Sequence, residues 1–237
     1  MRKLSQIFLG CLVGGLCASM AHASTTSYSS DSVVLPNEVD TTVHLAKFNT
    51  SLGILTGVYV EIGVNLTGAQ VQLDNDDAAA QTGTGRVVNA ARSLTSDVGL
   101  LKTDFTTINN GNLSINASHN FALGATSGDA VGTFNATGLS DYANWQPGTL
   151  NAHGAGNISS LVWDQYKGSG TFGITTNALY LTSATFAGSN GFFQGNTPNG
   201  QFYASVTYTY DPVPETSALP LLGAGAFGLA CVRRRRK

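Results

Sequence analysis

The feature that most restricts the fold of this chain is a strict alternation of apolar and polar residues over positions 58–66. The even positions carry Val, Val, Ile, Val and Leu, whereas the odd positions carry Tyr, Glu, Gly and Asn. Successive side chains of a β-strand point to opposite faces, so this period of two predicts a strand with one face in a core. The same alternation returns over positions 202–210, near the end of the chain.

Shorter segments of similar character lie between these two, and the Asn-Gly and Pro-Gly pairs that separate them are turn signals. Many short strands punctuated by turns are typical of an all-β fold, and we expect an antiparallel β-sandwich over residues 33–211. Residues 78–91 are also compatible with a short helix, and residues 141–159 are expected to form one long loop. The further candidate strands are 39–48, 69–73, 86–94, 100–108, 113–123, 130–135, 161–166, 170–176 and 179–186.

The first 23 residues have the composition of an export signal. Arg2 and Lys3 precede an apolar stretch at residues 7–16, and Ala21 and Ala23 place small side chains at −3 and −1 relative to Ser24. This order is typical of a signal peptide cleaved by signal peptidase. We therefore expect export, cleavage before Ser24, and a disordered leader at residues 24–32.

Cysteine and charge restrict the exported part further. Two of the 3 cysteines lie in the expected signal peptide and the third is Cys231, so the domain is expected to fold without disulfides. Residues 24–211 contain 13 acids and five cations, which gives a net charge of −8. A nucleic-acid partner is excluded because binding to phosphates requires clustered cations. The five cations are Lys47, Arg86, Arg92, Lys102 and Lys167.

The last 26 residues have a different organisation. Val213-Pro214-Glu215-Thr216 precedes an apolar segment at residues 217–232, which is 16 residues long. A helix normally needs about 20 residues to cross a bilayer, so this segment is short for a transmembrane helix. The chain then carries five cations that hold the adjacent end of such a helix on the cytoplasmic side, namely Arg233, Arg234, Arg235, Arg236 and Lys237.

This arrangement of motif, short apolar segment and basic cluster resembles the PEP-CTERM sorting signal of Gram-negative bacteria. The family motif is Val-Pro-Glu-Pro, and Thr216 stands in place of its second proline. The resemblance implies processing near Val213, Pro214 and Glu215 by an exosortase-type membrane protease. It also implies transient residence in the inner membrane, followed by delivery to the cell surface or extracellular matrix. An ordinary C-terminal membrane anchor is the alternative.

The middle of the chain is similar to choice-of-anchor E domains. The similarity rests on residues 48–58, with the sequence Phe-Asn-Thr-Ser-Leu-Gly-Ile-Leu-Thr-Gly-Val, on residues 166–172 and on the closing alternation. Domains of this family occur upstream of different surface-anchoring signals. The resemblance implies an exported module and supplies no catalytic residues.

Candidate catalytic and metal-binding residues are few. His44, His119 and His153 are scattered without the spacing of a zinc motif, and no cofactor is expected. Asp74 and Asp76, in an Asp-Asn-Asp-Asp run, are weak candidates for calcium, because hard cations prefer oxygen ligands. A solvated acidic hairpin tip is the favoured interpretation of that run.

Two functions remain open after these exclusions. The first is a non-enzymatic surface or matrix protein, as the sorting signal implies. The second is a secreted carbohydrate-active enzyme or carbohydrate-binding module acting on exopolysaccharide. For the second, aromatic side chains could stack on sugar rings, although packing is favoured for each of them, and the candidates are Tyr142, Trp145, Trp163 and Tyr166.

Overall fold

The computed structural model describes residues 22–126, 134 and 140–213. The predicted sorting motif from Pro214 onward, the apolar segment 217–232, the basic cluster and Ala21 lie outside the described residues, as does most of the candidate strand 130–135. The described residues from Ser24 to Val213 form one compact unit.

This unit is all-β, and its paired strands are antiparallel, which confirms the all-β, antiparallel part of the prediction. The strands are β1 (Ser24–Ser29), β2 (Val33–Leu35), β3 (Thr41–Ala46), β4 (Gly53–Thr67), β5 (Val71–Asn75), β6 (Gln81–Ser96), β7 (Ile115–Leu123), β8 (Tyr142–Trp145), β9 (Leu150–Asn157), β10 (Thr171–Phe186), β11 (Gly191–Gly195) and β12 (Asn199–Pro212). Three 3₁₀ helices occupy Thr50–Leu52, Asn110–Leu113 and Ser160–Tyr166.

The strands form three sheets. Sheet A has the order β1-β12-β4-β9, with β2 also paired to β12, and sheet B has the order β3-β10-β6-β7. Sheet C has the order β11-β5-β8. Each strand of sheet C adjoins a strand of sheet A along the chain, since β5 follows β4, β9 follows β8 and β12 follows β11. The neighbour order β11-β5-β8 in sheet C therefore matches the order β12-β4-β9 in sheet A. The two sheets are separated at the three chain segments that connect the corresponding strands.

Sheets A and B contribute to one apolar core. The even residues of β4 from Val58 to Leu66 are buried, and so are Val43 and Leu45 of β3 and Phe172 and Ile174 of β10. Hydrogen bonds also join the two sheets, because the hydroxyl of Tyr208 in sheet A donates to the carbonyl oxygen of Ala46 at 2.9 Å. The alternation in the sequence thus identified the core face of β4 correctly.

Sheet C packs against the part of sheet B that contains Gly83 and Gly85 of β6. Gly85 leaves no room for a side chain, because an added Cβ would lie 2.6 Å from Val71 of β5, and at Gly83 an added Cβ would lie in tight contact with Leu73 at 3.1 Å. Close approach of two sheets at such positions requires glycine. This contact continues the core of the domain beyond the break between sheets A and C.

Two sequence predictions failed because small or polar residues give a weak strand signal. Residues 24–32 are not a disordered leader, since β1 pairs with β12 along its whole length and Tyr28 packs edge-on against Tyr208 at 6.1 Å. Residues 141–159 are not one loop, because they contain β8 and β9. The inward positions of β9 are Ala152, Gly154 and Gly156, which are too small to show apolar periodicity.

Four other predictions also differ from the structure. Residues 161–166 form a 3₁₀ helix capped by the Ser159 hydroxyl, and residues 100–108 form isolated bridges rather than a strand. The possible helix at residues 78–91 is absent, since Gln81–Ser96 is strand β6. The candidates 170–176 and 179–186 are one strand, β10, with an irregular register at Asn177.

Candidate functional site

The folded domain ends at the first residue of the predicted sorting motif. β12 runs to Pro212, which is paired with Gly53 at the start of β4. The next backbone N–H, that of Val213, donates to the carbonyl oxygen of Leu52 at 3.2 Å. Val213 is 56% exposed. The hydrogen-bonded structure therefore continues up to Val213, and Pro214 and Glu215 follow without an intervening linker.

Gly53 holds this end of β12 in place. Its φ of +153° lies in a region that favours glycine, and an added Cβ would overlap the main chain of Asp211 and Pro212. The preceding 3₁₀ helix is capped by Asn49, whose side chain accepts a hydrogen bond from the Ser51 N–H at 3.0 Å. The residues before the predicted motif are thus clamped by backbone contacts that no other residue type at position 53 would allow.

The predicted signal-peptide junction lies at the same end of sheet A. Ala23 is exposed and directly precedes β1, whose first residue, Ser24, is paired with Tyr210 of β12. The expected cleavage position and the expected sorting motif therefore flank two adjacent strands. Both processing events would occur beside the same end of the domain.

The acidic run at residues 74–77 is not a solvated hairpin tip, and that prediction is wrong. Asp74, Asn75 and Asp76 are buried at the end of β5, and Asp141 beside β8 is buried as well. Asn75 donates to the carbonyl oxygens of Ala79 at 3.0 Å and of Gly124 at 2.5 Å. The run thus forms a structural junction in which polar side chains bind loop backbone.

Asp77 has a comparable role at this junction. Its carboxylate accepts hydrogen bonds from the backbone N–H of Ser189 at 3.1 Å and from the Asn190 side-chain amide at 3.0 Å. In the part of the chain that the structure describes, no group of three or more His, Cys, Asp and Glu side chains is placed to hold a metal ion. Calcium binding at Asp74 and Asp76 stays a prediction, testable by melting the protein with and without calcium.

The three histidines of the compact unit lie on separate strands. His44 is on β3, His119 on β7 and His153 on β9, and all three are exposed. His153 had been expected in a loop, and its position in β9 corrects that assignment. His119 is stacked on the Trp145 ring with centroids 5.6 Å apart, so this imidazole contributes to packing between β7 and β8.

The aromatic residues selected from the sequence are largely engaged in packing. Tyr166 is fully buried and donates its hydroxyl to the carbonyl oxygen of Gly99 at 2.8 Å. Trp163 is partly buried and donates its indole N–H to the carbonyl oxygen of Ile158 at 2.9 Å. Tyr142 accepts a hydrogen bond from Gln72, and Trp145 packs against the core. Packing, which the sequence favoured for these residues, is what the structure shows.

A different aromatic surface lies on the outer face of sheet A. Tyr203 of β12 is paired with Gly63 of β4, and its ring lies over that glycine, where an added Cβ would overlap it. On the other side, Gly63 is paired with His153 of β9. Tyr59, 40% exposed, lies four residues away on β4 and on the same face. Glu61 occupies the position between them.

Glu61 and Tyr203 influence each other electrostatically. Burial raises the pKa of the Tyr203 phenol, and the negative charge of Glu61 raises it further. The phenol is therefore neutral at physiological pH and retains its hydrogen-bond donor beside a carboxylate. The cross-strand partners of Glu61 are Ala155 and Ser205, so neither supplies a second carboxylate. A ring, a donor and a single acceptor on a flat sheet suit binding of a hydroxylated ligand.

Sequence reasoning missed this surface because it followed the apolar positions of β4 and β12. The signal was present in the intervening positions, where Tyr59, Glu61 and Gly63 alternate with the core residues and Tyr203 begins the matching series on β12. A glycine opposite a tyrosine on the neighbouring strand indicates that the tyrosine ring can lie over the glycine backbone.

Across the described residues, no helix has the length and apolar character needed to span a membrane. No protein-family model matches this chain, and comparisons with curated proteins and with solved structures found no match.

Proposed function

We propose that this chain is a non-enzymatic exported protein of the cell surface or extracellular matrix whose C-terminal sorting signal is processed by an exosortase-type membrane enzyme. The observation that carries the proposal is the position at which the fold ends. Because the Val213 N–H makes a backbone hydrogen bond to Leu52, a protease acting at Pro214 or Glu215 would separate the complete domain from its tail.

The arrangement of the sheets supports the same proposal. We interpret sheet B as one layer of a β-sandwich, and sheets A and C together as the other, because all three contribute to one core. The termini of the domain lie on adjacent strands at one end of this sandwich. A module of this kind presents the remainder of its surface to the matrix while its tail resides transiently in the inner membrane.

The proposal is tested by the C-terminus of the delivered protein. In the native host, mass spectrometry of the surface form is expected to find a C-terminus near residues 213–216. The double substitution Pro214→Ala, Glu215→Ala should leave full-length protein in the inner membrane, whereas the control Ser217→Ala should be processed normally. A surface form that still ends at Lys237 would contradict processing.

Carbohydrate binding is a second candidate function, favoured by the outer face of sheet A. Tyr59 and Tyr203 present rings on a sheet surface that also carries Glu61 and His153. We favour binding over hydrolysis, because glycosidases commonly act with two carboxylates and Glu61 has no carboxylate as a cross-strand partner. Incubation with a glycan panel separates the two, since retention without turnover indicates a binding module and product release indicates an enzyme.

A further inference from the structure

The first and last residues of the compact unit lie at one end of the domain, and connections between sheets A and B lie at the same end. We call it the basal end and define it by the 3₁₀ helices Thr50–Leu52 and Ser160–Tyr166 together with Ser24 and Val213. The first helix joins β3 of sheet B to β4 of sheet A, and the second joins β9 of sheet A to β10 of sheet B. A parallel bridge between Phe48 and Lys167 completes the closure.

Large apolar side chains are exposed at this end. Ile54 at the start of β4 is 73% exposed, and Leu161 in the second helix is 76% exposed. Leu52 and Val213 are exposed close to Ile54 and are joined to each other by a backbone hydrogen bond. The neighbours of Leu161 in its helix point inward, since Val162 and Trp163 pack on the core and Tyr166 is buried. Leu161 therefore projects away from the core.

The charges at the basal end are nearly balanced, in contrast to the acidic character of the exported part. Lys167 forms an ion pair with Asp164 at 2.7 Å in the second helix. Lys102, beside Ile158, forms one with Asp104 at 3.4 Å. Asp211, the cross-strand partner of Ile54, adds one carboxylate at this end, and Lys47 adds one cation. Because cations and carboxylates nearly cancel and aliphatic side chains are exposed, this surface is compatible with lipid headgroups.

The length of chain after Val213 places this end close to a membrane. Only Pro214, Glu215 and Thr216 separate Val213 from the apolar segment that begins at Ser217. Four extended steps span at most about 14 Å. The headgroup layer of one leaflet accounts for roughly 5–8 Å of that distance. When the tail is inserted, Val213 can therefore lie no more than about 10 Å above the headgroups.

The shortness of the apolar segment reduces this distance further. Its 16 residues cover about 24 Å as a helix, less than the roughly 30 Å hydrocarbon core. A short segment is accommodated by local thinning or by drawing its flanking residues toward the core. Both responses bring the basal end of the domain toward the lipid.

From these observations we infer that the basal end is a membrane-contact surface, and that Leu161 and Ile54 enter the headgroup region while the tail is inserted. The inference rests on the proposed membrane insertion of the tail. Its consequence is orientation: the long axis of the strands stands away from the bilayer, and sheet C is held farthest from it. Insertion of exposed aliphatic side chains at the interface provides the binding free energy.

The test uses residues 24–237, in which Cys231 is the only cysteine, reconstituted in vesicles of phosphatidylethanolamine and phosphatidylglycerol. An environment-sensitive fluorophore is attached in turn to Cys231, or to Leu161→Cys, Ile54→Cys and Phe193→Cys in a Cys231→Ser background. Phe193 is exposed on β11 of sheet C, beyond the far end of β12 and more than about 40 Å from the basal end by strand rise. Quenching by nitroxide-labelled lipid then reports contact with the bilayer.

We expect a blue shift and loss of fluorescence at positions 161 and 54, and neither at position 193. Quenching at Cys231 without quenching at positions 161 and 54 would overturn the membrane-contact surface and leave the tail insertion intact. Absence of quenching at Cys231 would overturn both proposals. Equal quenching at positions 161 and 193 would show adsorption without orientation and would also overturn the inference.

Discussion

Three buried tyrosines link elements that are far apart in the sequence. The hydroxyls of Tyr166, Tyr180 and Tyr208 donate to the carbonyl oxygens of Gly99, Leu35 and Ala46, at 2.8, 2.9 and 2.9 Å. Each carbonyl belongs to a different strand or loop from its donor. A buried aromatic ring thus supplies apolar area to the core, and its hydroxyl satisfies a backbone acceptor.

Removing one of these hydroxyls should destabilise the domain measurably. Tyr208→Phe leaves the Ala46 carbonyl without its donor, and we expect a loss of about 1–2 kcal/mol in the free energy of unfolding. Tyr210→Phe is the matched control, because Tyr210 is only partly buried and also packs on Phe48. Urea denaturation measures both variants, and equal losses would contradict a specific role for the Tyr208 hydroxyl.

The same tyrosines predict a loss of stability at alkaline pH. Burial raises the pKa of all three phenols above the ordinary value near 10. The folded state therefore keeps protons that the unfolded state loses, so their contribution is complete below about pH 10 and declines as the pH rises toward the folded-state values. Urea denaturation between about pH 9 and pH 11 should show this decline. A constant free energy of unfolding would contradict it.

At Gly63, a substitution tests the carbohydrate-binding surface. Alanine would displace the Tyr203 ring from the sheet, because its Cβ would occupy the position of that ring. We expect weaker retention on any glycan that binds the domain and a nearly unchanged melting temperature, since the ring lies at the surface and can move. Ser205→Ala on the same strand is the control. If the Gly63→Ala variant retains the glycan as well as the parent protein does, Tyr203 takes no part in the binding surface.

Residue-level prediction from the sequence succeeded where the side chains had a clear preference for burial or for solvent. The even residues of β4 are buried because apolar groups at a period of two can share one face. The prediction of a solvated acidic tip at residues 74–77 was wrong because these side chains bind loop backbone at residues 79, 124, 189 and 190. Three of these partners are remote in sequence, and local composition gives no indication of them.

Among the elements, β1 is the clearest departure from expectation. Its Ser and Thr residues are polar on both faces, and only Tyr28 contributes a large apolar group. The strand forms because β2 occupies only residues 200–202 of this edge of β12 and leaves residues 205–210 open for pairing, so partner availability outweighs the weak local signal. An element of this kind is determined by tertiary structure and is difficult to identify in a single sequence.

The strand β1 should contribute to stability even though it is short. Tyr28→Ala removes the contact with Tyr208, and we expect a loss of about 2 kcal/mol because the ring is only partly buried. Thr25→Ala, at an exposed position in the same strand, should cost much less. Thermal denaturation compares the two. If both variants melt at the same temperature as the parent protein, β1 makes no contribution to stability.

The contact between the start of β4 and the end of β12 leads to a second prediction about the strands. Gly53→Ala would force the main chain of Asp211 and Pro212 away from β4, so the end of β12 should open. A glutamate-specific protease should then cleave after Glu215 faster than in the parent protein. Gly57→Ala is the control, because its added Cβ would meet only the Thr209 side chain at 3.2 Å. Equal cleavage rates would show that the junction does not protect the motif.

For the whole molecule, the compact unit from Ser24 to Val213 predicts independent folding. The segment expressed alone should give a far-ultraviolet circular dichroism spectrum of β-structure and a single cooperative melting transition without added metal. The matched comparison is the same segment beginning at Asp31, which lacks β1 and should melt at a lower temperature. A spectrum dominated by helix would contradict the fold.

The fold class followed from the sequence because alternation and turns are local properties. The separation of sheets A and C did not. At this break the Asn196 side chain accepts a hydrogen bond from the Gln70 N–H at 2.7 Å and donates one to the Gly68 carbonyl oxygen at 2.6 Å. The outer surface of sheet A was missed for a related reason, because strand register places Tyr203 over Gly63. Local patterns indicate which segments are strands, whereas register and partners are decided by the whole chain.

The position of β12 also has a mechanical consequence. This strand lies between β1 and β2 on one side and β4 on the other, and it continues directly into the tail. If the domain is pulled while the tail is held, the load enters along the axis of β12, perpendicular to its ladder of hydrogen bonds. The bonds on both sides then resist shear together and do not open one after another. The strand that leads to the tail is thereby bonded on both sides against tension.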